Sequence, residues 1–353
     1  MKKKASPFET MILGGLNGDP GLFVQIKKSG LHLLFDVGDV SSLTKKQMVR
    51  TQHIFVTHTH MDHFMDFDRL VRVKVAIKKP IFVYGPPGII DQISHKLLAY
   101  TWNLIDDDQL HFIVTEIDSA NNSLTIANVS KKHGFLPANR RQEPMQDFVI
   151  KTLDDHSIIR AVNLNHRGID SIAYQLEYPG STKVDTKSLK AMSLNPGPWI
   201  SELQLYAQKG EFHKTIKVAE TTFSVKDLSE KILAPIAPYK LTYITDIGFE
   251  AGNIDKIFAA FKETDSIVCE SSFSDADIDR ATDKAHLTSH QAAYIARGLK
   301  AKDFKVFHIS NIYAEDVVRV EREAFEQFEK LEQISDESYK RELQKKLNVC
   351  IRD

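Results

Sequence analysis

The sequence predicts an α/β protein. An apolar run, Ile54-Phe55-Val56, leads through a polar loop into a stretch with helical spacing. From residue 241 onward, strand and helix patterns alternate. The residues with the richest chemistry stand where strands end, which is where α/β proteins gather their active groups. The chain has 353 residues, 42% hydrophobic and 26% charged, enough for a large core. A formal net charge of −1 supplies no global field toward nucleic acid, so any RNA contact has to come from local basic patches. The two cysteines, Cys269 and Cys350, make no disulfide framework and fit a reducing compartment.

Taken in order, Met1-Lys2-Lys3-Lys4 is followed by Ser6, Pro7, Glu9 and Thr10, which interrupt any apolar segment, so no export signal is read. No run approaches the roughly 18 apolar residues that span a bilayer, and a cytoplasmic protein without a membrane partner is expected. Residues 10–14, 21–26 and 31–35 read as short strands between turns rich in Gly and Asn. Asp36, at the end of the third, either supports the next loop from behind or simply forms a turn. Phe64 to Ile77 carries Phe64, Phe67, Leu70, Val71 and Lys74 on one helical face. Ile81 to Tyr84 is a strand, Gly85-Pro86-Pro87-Gly88 a turn, and Ile89 to Tyr100 a helix. Strand patterns follow at 111–117, 123–129, 148–153, 158–164 and 171–178, with Asn121-Asn122 as a hairpin turn. Residues 179–240 read as an arm inserted into one domain spanning 1–353. The closing third supplies strands at 241–245, 267–269 and 305–307, helices at 254–261 and 289–299, and a charged helical tail over 313–346 with one face on the body.

The centre of the chain is Thr57-His58-Thr59-His60-Met61-Asp62-His63. Four metal-ligand side chains stand within six residues, on a loop between strand and helix. Alternate side chains of an extended segment point the same way, so His58 and His60 converge on one ion. After the turn, Asp62 and His63 face a second position. Further ligands of the right type end apolar strands: His166, Asp246 and His308.

The pattern His58-x-His60-x-Asp62-His63, then His166, Asp246 and His308, resembles the metallo-β-lactamase superfamily, and within it the tRNase Z (ribonuclease Z) family. His286-Leu287-Thr288-Ser289, Glu270-Ser271-Ser272-Phe273 and Asn195-Pro196-Gly197-Pro198 are similar to further segments of that family, over about residues 30 to 313. The resemblance implies a four-layer αβ/βα sandwich with an inserted arm and two Zn²⁺ per chain, with Mn²⁺ also tolerated. His58, His60 and His166 would hold one ion, Asp62, His63 and His308 the other, and Asp246 would bridge. It implies cleavage of precursor tRNA 3′ trailers by a metal-activated hydroxide. In that scheme Asp62 orients the nucleophile, and His286, backed by Glu270, donates a proton to the leaving oxygen. RNA, not DNA, would be the partner, in a homodimer whose arm grips tRNA. Lys183, Lys187 and Lys190 in the arm read either as RNA contacts or as a solvated face.

Departures stand beside these matches. Leu13-Gly14-Gly15-Leu16 replaces the family's Leu-Gly-Thr-Gly turn, and Cys269 stands where the family often has His. Ser310-Asn311-Ile312-Tyr313 lacks the Arg usual after the last His ligand. The rival reading is therefore the same fold hydrolysing a small phosphodiester, a lactone or a thioester. A non-enzymatic metal- or RNA-binding relative is a second rival, opposed by the complete ligand set.

Overall fold

The computed structural model describes residues 5–349, so the lysine run at the start and Cys350 lie outside the described residues. The chain forms two compact units, one comprising residues up to Glu177 together with those from Lys240, the other Tyr178–Tyr239.

In the larger unit eight strands form one sheet in sequence order, from Phe8–Leu13 to Pro137–Pro144. The middle strands His32–Phe35, Thr51–Phe55, Ile81–Gly85 and His111–Asp118 run parallel, joined by helical connections, and the outer pairs are antiparallel. A second sheet of six strands runs Asp303–Phe307, Ser266–Glu270, Tyr239–Ile244, Ile169–Tyr178, Ile158–His166, Val149–Thr152. The first three of these are parallel to one another.

Each sheet buries one face under helices. Phe67, Leu70 and Val71 of Phe67–Lys74 and Ile89, Ile90, Ile93 and Leu97 of Ile89–Leu98 pack with Leu34, Ile54, Val83 and Val114 of the first sheet. Ile254 and Ile257 of Ala251–Ala260, and Ala292 to Ala296 of Ser289–Gly298, cover Val162, Leu164, Ile267 and Val306 of the second. The other faces meet through aromatic rings: Phe35 lies 4.9 Å from Phe55 and 5.8 Å from both Tyr174 and Tyr243. The layers are thus αβ/βα, the expected fold class.

Two hydrogen bonds join the sheets at the head of the histidine loop. The Tyr174 hydroxyl donates to the Val56 carbonyl at 2.8 Å, and Ile172 N–H donates to the Thr57 carbonyl at 2.9 Å. The entry to the loop is therefore pinned from across the sandwich.

Local differences from the sequence pattern have clear causes. The helix expected over 64–77 divides into Met61–Phe64 and Phe67–Lys74, because the Asp66 side chain turns back to accept from Val40 N–H at 2.9 Å while its own N–H bonds the Val37 carbonyl. The charged tail is two helices, Val317–Glu332 and Asp336–Val349, and Val320, Ala324, Phe328 and Leu331 form the buried stripe of the first.

The arm expected at 179–240 falls on the smaller unit. It has its own core, in which Leu189, Leu203, Ile216, Val225, Leu228 and Ile232 are buried. Lys183, on strand Ser181–Val184, and Lys187 and Lys190, on helix Thr186–Ala191, are all exposed.

Replacing Tyr174 by Phe removes the donor to Val56 while keeping the ring. The expected loss is about 1–2 kcal/mol of unfolding free energy, as for an unpaired buried carbonyl, read from denaturant melts with an unchanged slope.

Candidate metal centre

The loop after Thr51–Phe55 rests on the turn after His32–Phe35. Val37 N–H donates to the His63 carbonyl at 2.9 Å and Asp66 N–H to the Val37 carbonyl at 3.0 Å. Gly38 is required there, since a Cβ would collide with the Asp62 carbonyl oxygen. Asp36 is fully buried and accepts from Thr57 N–H at 2.7 Å, Thr57 Oγ1, Tyr243 Oη at 3.1 Å and His63 Nδ1 at 3.0 Å. Of its two sequence readings, support for the loop is the one these contacts describe.

The strand ends of the second sheet bring the remaining groups to the same place. His58, His60, His166 and Asp246 each offer a ligand atom within 4.8 Å of the others, as do Asp62, His63 and His308. Asp246 lies between the two sets. Its carboxylate is 3.7 Å from His58 Nε2, 3.9 Å from His166 Nε2, 3.3 Å from His63 Nε2 and 3.2 Å from His308 Nε2. Asp62 Oδ2 is 3.6 Å from His63 Nε2 and 3.8 Å from His308 Nε2.

Three imidazoles have the far nitrogen occupied. His58 Nδ1 meets Thr57 Oγ1 at 3.1 Å, His63 Nδ1 meets Asp36, and His166 Nδ1 donates to the Ala285 carbonyl at 2.9 Å. That fixes which nitrogen faces the cluster, as metal-bound histidines require.

The donor set fits divalent cations. His58 Nε2 and His63 Nε2 are buried and have no hydrogen-bond partner among the described residues, an arrangement that a metal ion satisfies and solvent does not. Burial pushes the His58 imidazole down to about 2, so it stands as the neutral ligand form. Burial also works against a charged Asp246, but His308, His63 and His286 outweigh it and hold the carboxyl well below its usual range.

Beside the cluster stands a carboxylate–imidazole pair. Glu270 is fully buried at the end of Ser266–Glu270 and accepts from His286 Nδ1 at 2.8 Å, Ser272 Oγ at 2.8 Å and Ile247 N–H at 2.8 Å. Burial opposes a charge on His286. Glu270 and Asp246 outweigh it and raise the imidazole to about 9. With Nδ1 committed to Glu270, Nε2 is the atom left to serve a reacting group.

The structure thus draws His58, His60, Asp62, His63, His166, Asp246, His308, Glu270 and His286 to one site, whereas Lys183, Lys187 and Lys190 belong to the other compact unit. Sequence reading quoted Thr57 and Ser272 within motifs but gave them no role, and it missed Tyr243 and Asn253. Asn253 bridges the Asn165 backbone and the Gly248 carbonyl at 2.7–2.9 Å, tying the strand end of His166 to the loop after Asp246. A polar residue inside the apolar stripe of Ala251–Ala260 was its one visible signal.

Layers and site together define a metallo-β-lactamase fold. Among solved structures, the metallo-β-lactamase fold protein YhfI of Bacillus subtilis superimposes with a TM-score of 0.52 at 16% identity, over 92% of this chain and 94% of that one. Yeast PDE1 gives 0.50 at 11% identity, over 93% and 94%. Among curated proteins, the chain is similar to ones named ribonuclease Z and zinc phosphodiesterase. The chain is 26% identical to Ribonuclease Z of Deinococcus radiodurans across 86% of its length and 90% of the relative's. It is 26% identical to Ribonuclease Z of Bacillus subtilis across 91% and 94%, and 25% identical to human Zinc phosphodiesterase ELAC protein 1 across 82% and 81%. No family model matches the chain.

Asp36 gives the test of this architecture. Asp36→Ala is expected to weaken metal binding about 10- to 100-fold, as loss of a buried partner of a ligand histidine does, measured by competition with a chromogenic chelator.

Proposed function

We propose that this chain is a metal-dependent endoribonuclease that removes 3′ trailers from precursor tRNA. The observation that carries the reading is the Glu270–His286 pair set against the ligand cluster, 2.8 Å between its members. The ribonuclease Z names of relatives spanning most of the chain support the substrate.

In this reading His58, His60 and His166 would hold one Zn²⁺ and Asp62, His63 and His308 a second, with Asp246 available to both sets. Mn²⁺ suits the same ligands. When bound, such ions lower the pKa of water toward ~7 and act as Lewis acids on phosphoryl oxygens. The chain's own residues supply the rest. Asp62, about half exposed at the rim, orients the attacking water. His286, protonated and fixed by Glu270, gives its proton to the ribose 3′ oxygen, an otherwise poor leaving group. Glu270 and Ser272 keep that imidazole aimed. We place the enzyme in the cytoplasm as a homodimer. No helix among the described residues is long and apolar enough to cross a membrane.

The test is incubation of zinc-loaded protein with a precursor tRNA bearing a 3′ trailer. Cleavage at the trailer junction is expected, with His286→Ala lowering kcat about 10²- to 10⁴-fold and His60→Ala abolishing turnover. Metal analysis should return two zinc ions per chain. Turnover of a generic small diester without RNA cleavage would favour the small-substrate rival.

The arm lysines have a separate test. If Lys183, Lys187 and Lys190 grip RNA, replacing all three by Ala weakens tRNA binding and reduces the slope of log affinity against log salt by about 2–3. An unchanged slope makes them a solvated face.

A further inference from the structure

Two cavities open from the ligand cluster. One, of about 290 Å³, is lined by Asn17, Asp62, His286, His308 and Asn311 among others. The other, of about 350 Å³, is lined by His60, His166, Arg167, Asp246 and His286 among others. Lys284 lines both.

The charges around the two cavities are unequal. Asp19 and Asp62 face the first, and Lys284 is its single Lys or Arg among the described residues. In the second the other such cation is Arg167, whose guanidinium has Asp283 at 3.8 Å. Lys284 has no carboxylate partner among the described residues. An anionic substrate entering here therefore meets Lys284 whichever cavity it occupies, and in the second it also meets Arg167, whose charge is shared with Asp283 across an exposed pair.

The backbone next to Lys284 is hydrogen-bonded although the residue itself is exposed. Lys284 is the last residue of helix Ile278–Lys284. Ala285 then turns left-handed with φ 54°, its N–H still bonded to the helix and its carbonyl bonded to His166 Nδ1. His286 N–H returns to the Ala281 carbonyl at 2.9 Å. The lysine is thereby carried at a fixed offset from the proton donor and from a cluster histidine.

We propose that Lys284 is a substrate-binding residue: its ammonium engages a non-bridging oxygen of the phosphodiester lying over the cluster, and the substrate strand passes beneath it from one cavity to the other. This rests on the phosphodiesterase reading given above. Lysine suits the task as a compact point charge on a long stem. Sitting outside the cluster, it stabilises the bound phosphate in ground and transition states alike, so it acts on KM more than on kcat.

The experiment compares zinc-loaded wild type, Lys284→Ala and Lys284→Arg, with equal melting temperatures as the folding control. Kinetics are measured on a 3′-extended precursor tRNA and on bis-p-nitrophenyl phosphate. Binding of the same RNA is measured by fluorescence anisotropy across salt, with and without Lys284→Ala in the slow His286→Ala background. Lys284→Ala is expected to raise KM about 10-fold on both substrates with kcat within about 2-fold, to weaken RNA binding to a similar degree, and to lower the salt slope by roughly 0.7–0.9. Lys284→Arg should restore KM. Unchanged KM and salt slope, in an enzyme that cleaves RNA, overturn the lysine proposal and leave the function standing. Wild type that turns over the small diester and ignores RNA overturns the RNA reading, and the lysine is then judged on the diester KM alone. Turnover of neither overturns both.

Discussion

A single buried carboxylate organises this molecule. Asp246 has no place in an apolar interior unless it is surrounded by positive charge or by donors, because an isolated ion there is too costly to desolvate. Here His58, His63, His166, His286 and His308 all approach it within 3.2–3.9 Å. These histidines come from both sheets, so the ring of ligand atoms around the carboxylate assembles only when the two halves of the sandwich close with correct register. The Tyr174–Val56 and Tyr243–Asp36 hydrogen bonds serve the same closure from the interior, one at the loop's entry and one at its support.

That dependence explains which parts were legible in the sequence. The loop from His58 to His63 is local: strand, alternation and turn place its side chains with little help from elsewhere. The alternating strands and helices after residue 241 were legible for the same reason. The strand Pro137–Pro144 was not. Six of its eight residues are exposed, so burial never imposed an alternating pattern on Asn139, Arg140, Arg141, Gln142 and Glu143. The short helix Lys45–Arg50 was missed too. It begins at a Thr44–Gln47 capping box, but six residues are too few for a periodic stripe, and Met48 is its only buried side chain.

The site divides along the same line. Residues that would touch metal belong to a chemically narrow set and announce themselves. Several of those that aim them do so through contacts far apart in sequence and use ordinary residue types. Asp36 and Tyr243 are 207 positions apart, and Asn165 and Asn253 are 88 apart. Before folding, an Asp ahead of Gly38 is indistinguishable from any turn former. Only burial and four converging donors separate the two readings.

The backbone at the strand ends carries a related signature. Asp36, Arg167, Asp246 and His308 all adopt left-handed conformations, with φ of 57°, 50°, 48° and 55°. For a residue with a Cβ this conformation is unfavourable by about 1–2 kcal/mol, least so for Asp. Glycine would relieve it at each position. At Asp36, Asp246 and His308 glycine would also delete the side chain that the cluster or its support uses, so the relief and the chemistry are mutually exclusive there. The sharp reversal lets a strand stop abruptly while its last side chain remains at the junction of the two sheets. At Asp36 the strain is held by the four donors that converge on its buried carboxylate. Left-handed residues other than glycine also stand away from the site, at Leu110, Phe135 and Ala219 among others, so the dihedral acquires a role only where the side chain also reaches the cluster or its support.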